Sequence, residues 1–329
     1  MPDSLQNFYS RLPIVEREMV RLVPRDAEPA EVYSLLWELL DRGGKRFRPL
    51  LCLASARAVG GSPKHALAAA TAIELFHNFT LIHDDIEDNS TLRRGKPCLH
   101  VAYGLPLAIN AGDGLFMIVW KAALRIRSRR SIQAQHALLS AFTAVLEGQA
   151  TELGWHHYKR WDISEEDYLS MIGGKTAALI AVSCDVGALL GGGDAKQCKA
   201  LHEFGRKIGL AFQIQDDVLN LVGTEEKYRK EIGGDIKEGK RTVMVIHAFP
   251  KLSAADAARL KSVLGNAQAS DSDVAACIQM LRRTGSIEYA RKYAERLTDE
   301  ALAELGKLPK SSARDEMEAV VRQMIARES

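Results

Sequence analysis

Aromatic residues are scarce in this sequence, and neither sign of charge dominates it. Phe, Trp and Tyr make up 6% of the 329 residues, and Lys plus Arg (44) nearly balance Asp plus Glu (42), which leaves a net charge of +2. Because aromatic residues and alternating β-branched runs are typical of strands, the scarcity of both argues against a sheet-rich fold. A balanced charge provides no general attraction for nucleic acid. We therefore expect no nucleic-acid partner.

Cysteines are also few, and none of the five belongs to a C-x-x-C pair. An odd number of cysteines in apolar or mixed segments is typical of a reducing compartment, so we expect a cytoplasmic protein. The N-terminal segment has no basic-then-apolar run of the signal-peptide kind. Glu74 and Asp185 interrupt the most apolar windows, 66–76 and 177–193. This pattern predicts no stretch long enough to cross a bilayer and no stable membrane insertion.

Proline is absent from residues 107–249, which are rich in good helix formers. Nearly continuous apolar residues in 66–82 and 137–153 indicate helices that are buried on most sides, and a narrower stripe in 288–305 indicates an amphipathic helix. Glycine pairs separate these segments, but no polar low-complexity tract follows them as in an interdomain linker. The sequence predicts an all-α fold in which residues 1–329 form a single domain.

Two acidic clusters follow apolar helical segments. In LIHDDIEDNSTLRRGKP, at 81–97, Asp84 and Asp88 are four residues apart and lie about 40° apart around a helix, with Asp85 beside them. The second cluster, FQIQDDVLN at 212–220, contains Asp216 and Asp217 and ends in Asn220. Either cluster alone is equally compatible with a solvated helix end.

Two such clusters together favour a site for a hard cation. Ligand sets made only of oxygen select ions such as Mg²⁺, and these ions usually complete their shells with phosphate oxygens and water. Basic side chains that could bind phosphate stand beside glycine turns and beside the acidic clusters. They are Lys45, Arg46, Arg48, Arg93, Arg94, Lys175, Lys230, Lys237, Lys240 and Arg241.

These motifs resemble those of the trans-prenyltransferases, the polyprenyl diphosphate synthase family. The resemblance rests on six segments, which occur in the family's order over most of the chain. They are GGKRFRPL (43–50), HNFTLIHDDIEDNSTLRRGKP (77–97), EGQATEL (147–153), GGKT (173–176), FQIQDDVLN (212–220) and GGDIKEGKRT (233–242).

The family resemblance implies an all-α bundle around a central apolar pocket, usually in a homodimer, with the two acidic motifs on opposite sides of the pocket mouth. It also implies a role in isoprenoid biosynthesis. The reaction would join isopentenyl diphosphate to an allylic diphosphate, namely dimethylallyl, geranyl or farnesyl diphosphate. The cofactor would be Mg²⁺, with about three ions in each active site.

The same resemblance assigns roles to residues of this chain. The metal group comprises Asp84, Asp85, Asp88 and Asp216, with Asp217 supporting the second motif and Glu152 as a further acid. The group for the allylic diphosphate comprises Arg93, Lys175, Lys230 and Lys240. The group for isopentenyl diphosphate comprises Lys45, Arg48, His77 and Arg94. Thr176 and Gln213 would lie beside the carbon skeleton, where positive charge develops.

Two features bear on the length of the product. Asn220 stands where many relatives carry a third Asp, which we interpret as a weakened ligand, and the first motif lacks the two-residue insertion of many farnesyl-type enzymes. Phe79 lies five residues before Asp84, about 7.5 Å along a helix. Helix angles alone place the small Thr80 closer to the Asp84 face. The resemblance nevertheless favours Phe79 as the pocket floor.

We expect Phe116 and Met117, on the following apolar segment, to form the neighbouring wall. These features predict a twenty-carbon geranylgeranyl product, with the fifteen-carbon farnesyl product as the alternative. The polar segment 223–241 is glycine-hinged, and we expect it to close over the diphosphates through Lys230 and Lys240.

The sequence also has to be compared with three other classes of protein. A di-iron carboxylate protein is also a helical bundle, but it needs two Glu-x-x-His pairs and the sequence offers only Glu74 with His77. A non-catalytic synthase subunit would be expected to lose motif residues that are present here. A terpene cyclase would not need the second diphosphate clamp of Lys45, Arg48 and Arg94.

Overall fold

The structure is a computed structural model that describes residues 3–223 and 232–325. Within these residues nearly all regular structure is helical, and the only sheet is an antiparallel hairpin of β1 (Leu92–Arg93) and β2 (Lys96–Pro97). The all-α prediction is confirmed. The first helices are α1 (Asp3–Tyr9), α2 (Leu12–Leu22), α3 (Ala30–Leu40), α4 (Phe47–Ala58), α5 (Pro63–Glu87), α6 (Leu99–Tyr103), α7 (Leu105–Ala123) and α8 (Ser131–His157).

The remaining helices are α9 (Glu165–Ile172), α10 (Ala178–Leu190), α11 (Ala195–Val222), α12 (Gly234–Glu238), α13 (Val243–Ala248), α14 (Ala254–Val263), α15 (Asp271–Arg283), α16 (Ser286–Gly306) and α17 (Ser312–Ile325). A π-helical turn, Gly173–Ala177, joins α9 to α10. A short 3₁₀ turn, Phe249–Lys251, follows α13. The three segments whose apolar patterns predict helices lie within α5, α8 and α16.

The chain divides into two compact units. The first unit comprises Met1–Phe142, Leu179–Gly205 and Glu304–Val320, and the second comprises Thr143–Ala178, Arg206–Ala303 and Val321–Ser329. The expectation that residues 1–329 form one domain stays a prediction.

The core of the first unit includes α4, α5 and α10, and its helices approach each other through small residues. A Cβ atom on Gly187 of α10 would lie 2.2 Å from the backbone oxygen of Cys52 on α4, so only glycine permits this approach. Along α5, nearly every residue from Ala69 to Phe76 is buried. This burial on all sides is what its continuous apolar sequence predicts.

The core of the second unit collects side chains of α9, α11 and the helices that follow. Tyr168 of α9 and Ile214 and Val218 of α11 are almost completely buried in it. Helix α9 begins with a capping box, in which the Ser164 side chain accepts from the backbone N–H of Asp167 and the Asp167 carboxylate accepts from the backbone N–H of Ser164.

One helical segment corrects an expectation about membranes. Glu165–Leu190 forms 26 consecutive helical residues whose most apolar window has a mean hydropathy of 1.4, so by length and composition alone it could cross a bilayer. Asp185 interrupts the apolar run without lowering this mean enough to exclude a span. Of that window, 67% is buried inside the protein, as is usual for the core helix of a soluble protein.

Candidate active site

The first acidic motif lies at the C-terminal end of α5. Asp84 is half-buried, Asp85 is buried and Asp88 is exposed as the residue that caps the helix. The backbone N–H of Asp88 donates to the backbone oxygen of Asp84 at 2.8 Å, which keeps the two residues one turn apart. Because the C-terminal end of a helix carries partial negative charge, carboxylates gathered there favour a bound cation.

The donors at this helix end fit a hard cation. The side chains of the motif offer carboxylate oxygens, and the neighbouring thiol, Cys98, has its pKa raised to about 12 by burial and by Asp85, so it stays protonated and is no ligand. Within the described part of the chain, no three or more His, Cys, Asp or Glu side chains are already gathered as a metal site. The fit to Mg²⁺ rests on the donor chemistry alone, because carboxylate oxygens are the ligands that this ion prefers.

Asp85 is paired with Arg93, so two residues assigned to different ligands contact each other. Between β1 and β2, Arg94 and Gly95 both have positive φ angles (54° and 77°), as in a tight hairpin turn. The hairpin places Arg93 against α5, where its Nε donates to Oδ1 of Asp85 at 2.8 Å. In this arrangement Asp85 binds a basic side chain and supports the end of α5.

A cluster of basic side chains surrounds His77 on α5. Burial first, and then the charges of Arg48, Arg94 and other arginines, hold the pKa of His77 well below its usual value. The imidazole is therefore neutral at neutral pH. Arg94 also donates from Nη1 to the backbone oxygen of Gly43. Lys45 is exposed beside this contact. The structure thus brings Arg48, His77 and Arg94 together, as the resemblance implies for a diphosphate clamp.

Arg46 has a different place from the one that the sequence suggested. Its side chain is 5% exposed, and its Nη1 donates to Oε1 of Glu74 at 2.7 Å. The sequence groups Arg46 with the cations that could bind phosphate, but in the structure its guanidinium is paired with a buried acid. The same contact bears on the di-iron hypothesis, because Glu74 pairs with an arginine and His77 lies among arginines. The only Glu-x-x-His pair is thus not arranged as an iron site.

Phe79 lies in an aromatic cluster of the first unit. It is 8% exposed, and its ring centroid is 5.0 Å from that of Phe116 and 5.5 Å from that of Phe76. Behind it, Phe76 stacks on Phe142 with centroids 3.8 Å apart and planes inclined by 7°. Phe79 and Phe116 are therefore in contact, and their roles as floor and wall stay predictions.

Met117, the other residue expected in this wall, is not part of the ring cluster, and its place in the wall stays a prediction. Its side chain is 56% exposed, whereas the adjacent Phe116 turns into the aromatic cluster. Successive residues of a helix point about 100° apart, so neighbours in sequence need not share a face.

In the second unit, Glu152 and Lys175 form an ion pair. Helix α8 and the π-helical turn approach each other closely at Gly148. A Cβ atom on this residue would lie 2.3 Å from the backbone nitrogen of Lys175. Burial raises the pKa of Glu152, but the charges of Lys175 and Lys240 outweigh this effect and lower it below its usual value. Glu152 is therefore a carboxylate at neutral pH. A π-helical turn is frequent at functional sites.

Lys240 also has acidic partners. Its Nζ lies 2.7 Å from Oδ1 of Asp235 and 2.7 Å from Oε2 of Glu238. Lys230, the other lysine that we expect to act when the loop closes, lies outside the described residues, as does the rest of 224–231 in the loop 223–241. Arg241 is used structurally, because its Nε donates to the backbone oxygen of Arg160 at 3.2 Å.

The second acidic motif divides into a half-buried Asp216 and a buried Asp217. The two oxygens of Asp217 accept hydrogen bonds from the Tyr168 hydroxyl at 2.7 Å and from Nε2 of Gln213 at 2.8 Å. In turn, the Thr176 hydroxyl donates to Oε1 of Gln213 at 2.8 Å. Burial, followed by the charge of Asp235, raises the pKa of Asp217 to about 8. These contacts suit Asp217 to a supporting role.

Asn220 is bound within the protein. Its Oδ1 accepts from the backbone N–H of Asp235 at 3.1 Å, and its backbone oxygen accepts from Gly233 at 2.7 Å. This position, interpreted from sequence as a weakened ligand, thus holds the beginning of α12. Tyr168 and Asp235 were both missed as members of this cluster. Asp235 had a signal, as an acid that follows a glycine pair in a recognised motif, whereas nothing near Tyr168 in the sequence indicates its partner.

The first unit has an aspartate-rich helix end and an arginine cluster. The second unit has another aspartate motif and paired lysines. An enzyme that acts on diphosphates requires groups of these kinds. The model of the polyprenyl synthetase family matches residues 29–281.

Individual relatives agree with this match. The chain is 41% identical to the short chain isoprenyl diphosphate synthase of Methanothermobacter thermautotrophicus, over 94% of this chain and 95% of that protein. It is 36% identical to the geranylfarnesyl diphosphate synthase of Natronomonas pharaonis, over 91% of each. The crystal structure of geranylgeranyl pyrophosphate synthetase from Pyrococcus horikoshii superposes with a TM-score of 0.93, at 36% identity and over 99% of both chains.

The chain belongs to the polyprenyl synthetase family and is a trans-prenyltransferase. Members of this family use Mg²⁺ and act on isopentenyl and allylic diphosphates.

Proposed function

We propose that this enzyme joins isopentenyl diphosphate to an allylic diphosphate and that its main product is geranylgeranyl diphosphate. The observation that carries the proposal is the arginine cluster around a neutral His77 in the first unit. Arg48 and Arg94 both contribute to it, and Glu74, the acid that acts on both, is already paired with Arg46. Such an excess of positive charge is expected where a diphosphate binds.

We assign the residues of the first unit to two groups. Arg48, His77 and Arg94, with Lys45 at the exposed edge, bind isopentenyl diphosphate. Asp84 and Asp88 bind Mg²⁺ at the end of α5, and Asp85 contributes to this site through its contact with Arg93. Arg93 then binds the allylic diphosphate.

In the second unit, Asp216 and Glu152 are the proposed metal-binding acids, and Asp217 supports Asp216. Lys175 and Lys240 bind the allylic diphosphate, and in this structure each already contacts a carboxylate. Bound Mg²⁺ would act as a Lewis acid that stabilises the leaving diphosphate. About three ions in each active site remain our expectation.

The residues of the chain have separate tasks in this reaction. Lysines and arginines orient the two diphosphates, so that the double bond of one substrate lies against the reacting carbon of the other. Thr176 and Gln213 place polar oxygens where positive charge develops on the carbon skeleton. The departing diphosphate accepts the proton that is lost, so we assign no side chain as the general base.

The product length is inferred from the aromatic cluster together with the family resemblance that favours Phe79, because the individual relatives make products of different length. Similar proteins at the same identity, 36%, include both a geranylgeranyl and a geranylfarnesyl diphosphate synthase. Phe79, packed against Phe116, supports a floor that stops growth at twenty carbons, with the fifteen-carbon product as the alternative.

The proposal extends to assembly and location. Exposed apolar side chains recur along α6 and α7, including Val101 (52%) and Leu105 (49%), and such a surface favours association. We propose a homodimer. All five cysteines lie within the described residues and none forms a disulfide, which supports a cytoplasmic location.

The test is to incubate the purified enzyme with labelled isopentenyl diphosphate, Mg²⁺ and each allylic primer, and to identify the extracted products by mass spectrometry. We expect elongation, and we expect Lys45→Ala or Arg48→Ala to raise mainly the KM for isopentenyl diphosphate. Lys64→Ala, an exposed lysine at the other end of α5, serves as the control. A wild-type enzyme that elongates no primer would overturn the proposal. Cyclic hydrocarbons from an allylic diphosphate alone would indicate a terpene cyclase.

A further inference from the structure

The segment that carries Lys45 and Arg48 has a strained backbone. Gly43 and Gly44 have φ angles of 74° and 136°, and Arg46, which is not a glycine, has a φ of 46°. A left-handed conformation is unfavourable for a residue with a Cβ atom, so the surrounding structure must hold Arg46 in place. Arg46 immediately precedes α4 and has no side-chain hydrogen bond that caps this helix.

The side chain of Arg46 supplies this hold through two buried contacts. Its Nη1 donates to Oε1 of Glu74 at 2.7 Å, and its Nη2 donates to the backbone oxygen of Leu40 at 2.8 Å. Asn78, one turn after Glu74 on α5, donates from Nδ2 to the same Oε1 at 3.0 Å. Glu74 is 2% exposed and Asn78 is fully buried. The turn is thus joined to the end of α3 and to the middle of α5.

The same turn is contacted by the proposed clamp. Lys45 and Arg48 flank Arg46 in sequence, and Arg94 donates to the backbone oxygen of Gly43. A Cβ atom on Gly44 would lie 2.8 Å from Nη2 of Arg94. His77 follows Glu74 by three residues on α5, and residues at this spacing are neighbours on a helix surface. Glu74 therefore anchors the segment from which the clamp residues extend.

We infer that Arg46 and Glu74 are positioning residues for isopentenyl diphosphate. Glu74 holds Arg46, Arg46 holds the left-handed turn, and the turn fixes Lys45 and Arg48 for the diphosphate. This inference rests on the proposed function, because it takes Lys45 and Arg48 as ligands of that substrate. Arg46 itself does not contact the diphosphate.

Glu74→Gln tests the inference by the sign of its effect. The substitution removes one negative charge beside an anion site, so electrostatics alone would strengthen diphosphate binding. If the pair positions the clamp, binding is weakened instead, because a neutral amide holds the guanidinium less firmly. We expect KM and Kd for isopentenyl diphosphate to rise about tenfold or more, as when a supporting partner of a binding group is lost. The KM for the allylic substrate should change by less than about twofold.

Arg46→Lys provides a second variant that keeps the charge. Lysine is a compact charge and cannot reproduce the fork that contacts Glu74 and the oxygen of Leu40 together. We expect its effect on isopentenyl diphosphate to match that of Glu74→Gln. A direct electrostatic role of Arg46 would predict near wild-type binding by this variant. If Glu74→Gln does not fold, Arg46→Lys still tests the inference.

A matched control exists at the other end of α4. Arg57 donates from Nη1 to Oε2 of Glu316 at 2.5 Å, and Glu316 is 2% exposed. Glu316→Gln therefore disturbs another ion pair between a buried glutamate and an arginine of the α4 segment, away from the turn. We expect it to lower the thermal unfolding midpoint while both KM values stay unchanged.

The measurements are steady-state kinetics with each substrate varied, and calorimetric binding of isopentenyl diphosphate alone. The inference is overturned if Glu74→Gln leaves that binding unchanged or strengthens it, if Arg46→Lys binds like wild type, or if Glu316→Gln raises the same KM. A wild-type enzyme without elongation would instead overturn the proposed function. Wild-type elongation with normal binding by Glu74→Gln would overturn only this inference.

Discussion

Replacement of Phe79 by alanine should lengthen the product by one isoprene unit. Phe79 lies five residues before Asp84 on α5, about 7.5 Å along the helix, and its ring packs 5.0 Å from that of Phe116. The substitution removes about six ring carbons and leaves a cavity, because surrounding side chains relax only partly. An isoprene unit has five carbons, so the space corresponds to one further unit and a twenty-five-carbon product.

Growth should stop again after that unit. Phe76, 5.5 Å from Phe79, is stacked on Phe142 at 3.8 Å and forms a second aromatic layer. Phe79→Ala together with Phe116→Ala should therefore lengthen the product at least as much as the single change.

The assay is chromatography and mass spectrometry of dephosphorylated products made from farnesyl and isopentenyl diphosphates. Because Phe→Ala in a core costs about 3–5 kcal/mol of stability, Phe79→Leu is a milder companion and thermal unfolding is measured in parallel. Leu124→Ala is the control, since Leu124 is an apolar residue that is 64% exposed at the end of α7. An unchanged product from the double variant, or a wild-type product beyond twenty-five carbons, would place the floor elsewhere.

Three further predictions concern metal binding, acid stability and the start of α12. Asp84→Asn should lower kcat by about 10²–10³ in Mg²⁺-saturated assays, since charge stabilisation of the leaving group is lost, and near-normal turnover would show that the metal assignment is wrong. Burial and neighbouring arginines lower the pKa of His77 well below 6.5, so the unfolded chain binds the proton first and stability is lost as pH falls below about 6.5. The free energy of unfolding in urea is measured at pH 7.5 and 5.5. His77→Gln should reduce the loss of stability between these two pH values, by at most about 1.4 kcal/mol per pH unit. An equal loss in the variant and the wild type would contradict the assignment. Asn220→Ala removes the acceptor for the Asp235 N–H and should cost about 1 kcal/mol in thermal unfolding; no loss would mean that this hydrogen bond contributes nothing.

Much of the local architecture is predictable from the sequence. A continuous apolar stretch without proline predicted buried helices, and α5 and α8 extend a few residues beyond the predicted segments at each end. Helix periodicity also predicted that Asp84 and Asp88 lie one turn apart. These features depend on residues close together in the chain, for which backbone geometry leaves little choice.

The partners of charged side chains could not be predicted in this way. The sequence grouped Arg46 with Arg48 because both are basic and only two residues apart, yet Arg46 pairs with Glu74, 28 residues later. Likewise Asp217 contacts Tyr168, 49 residues earlier. A buried charge must find a partner wherever packing places one, so its role depends on the tertiary neighbour.

Tertiary packing also gives different surroundings to adjacent residues of similar chemistry. Phe116 and Met117 look alike as apolar wall residues, but packing leaves the first half-buried in an aromatic cluster and the second exposed. The amino-acid sequence by itself determined the helical class, the positions of the motifs and the family to which they belong. Only the tertiary structure decided which acids and bases are paired inside the protein, because burial makes an unpaired charge costly and each close approach of helices permits only certain pairs.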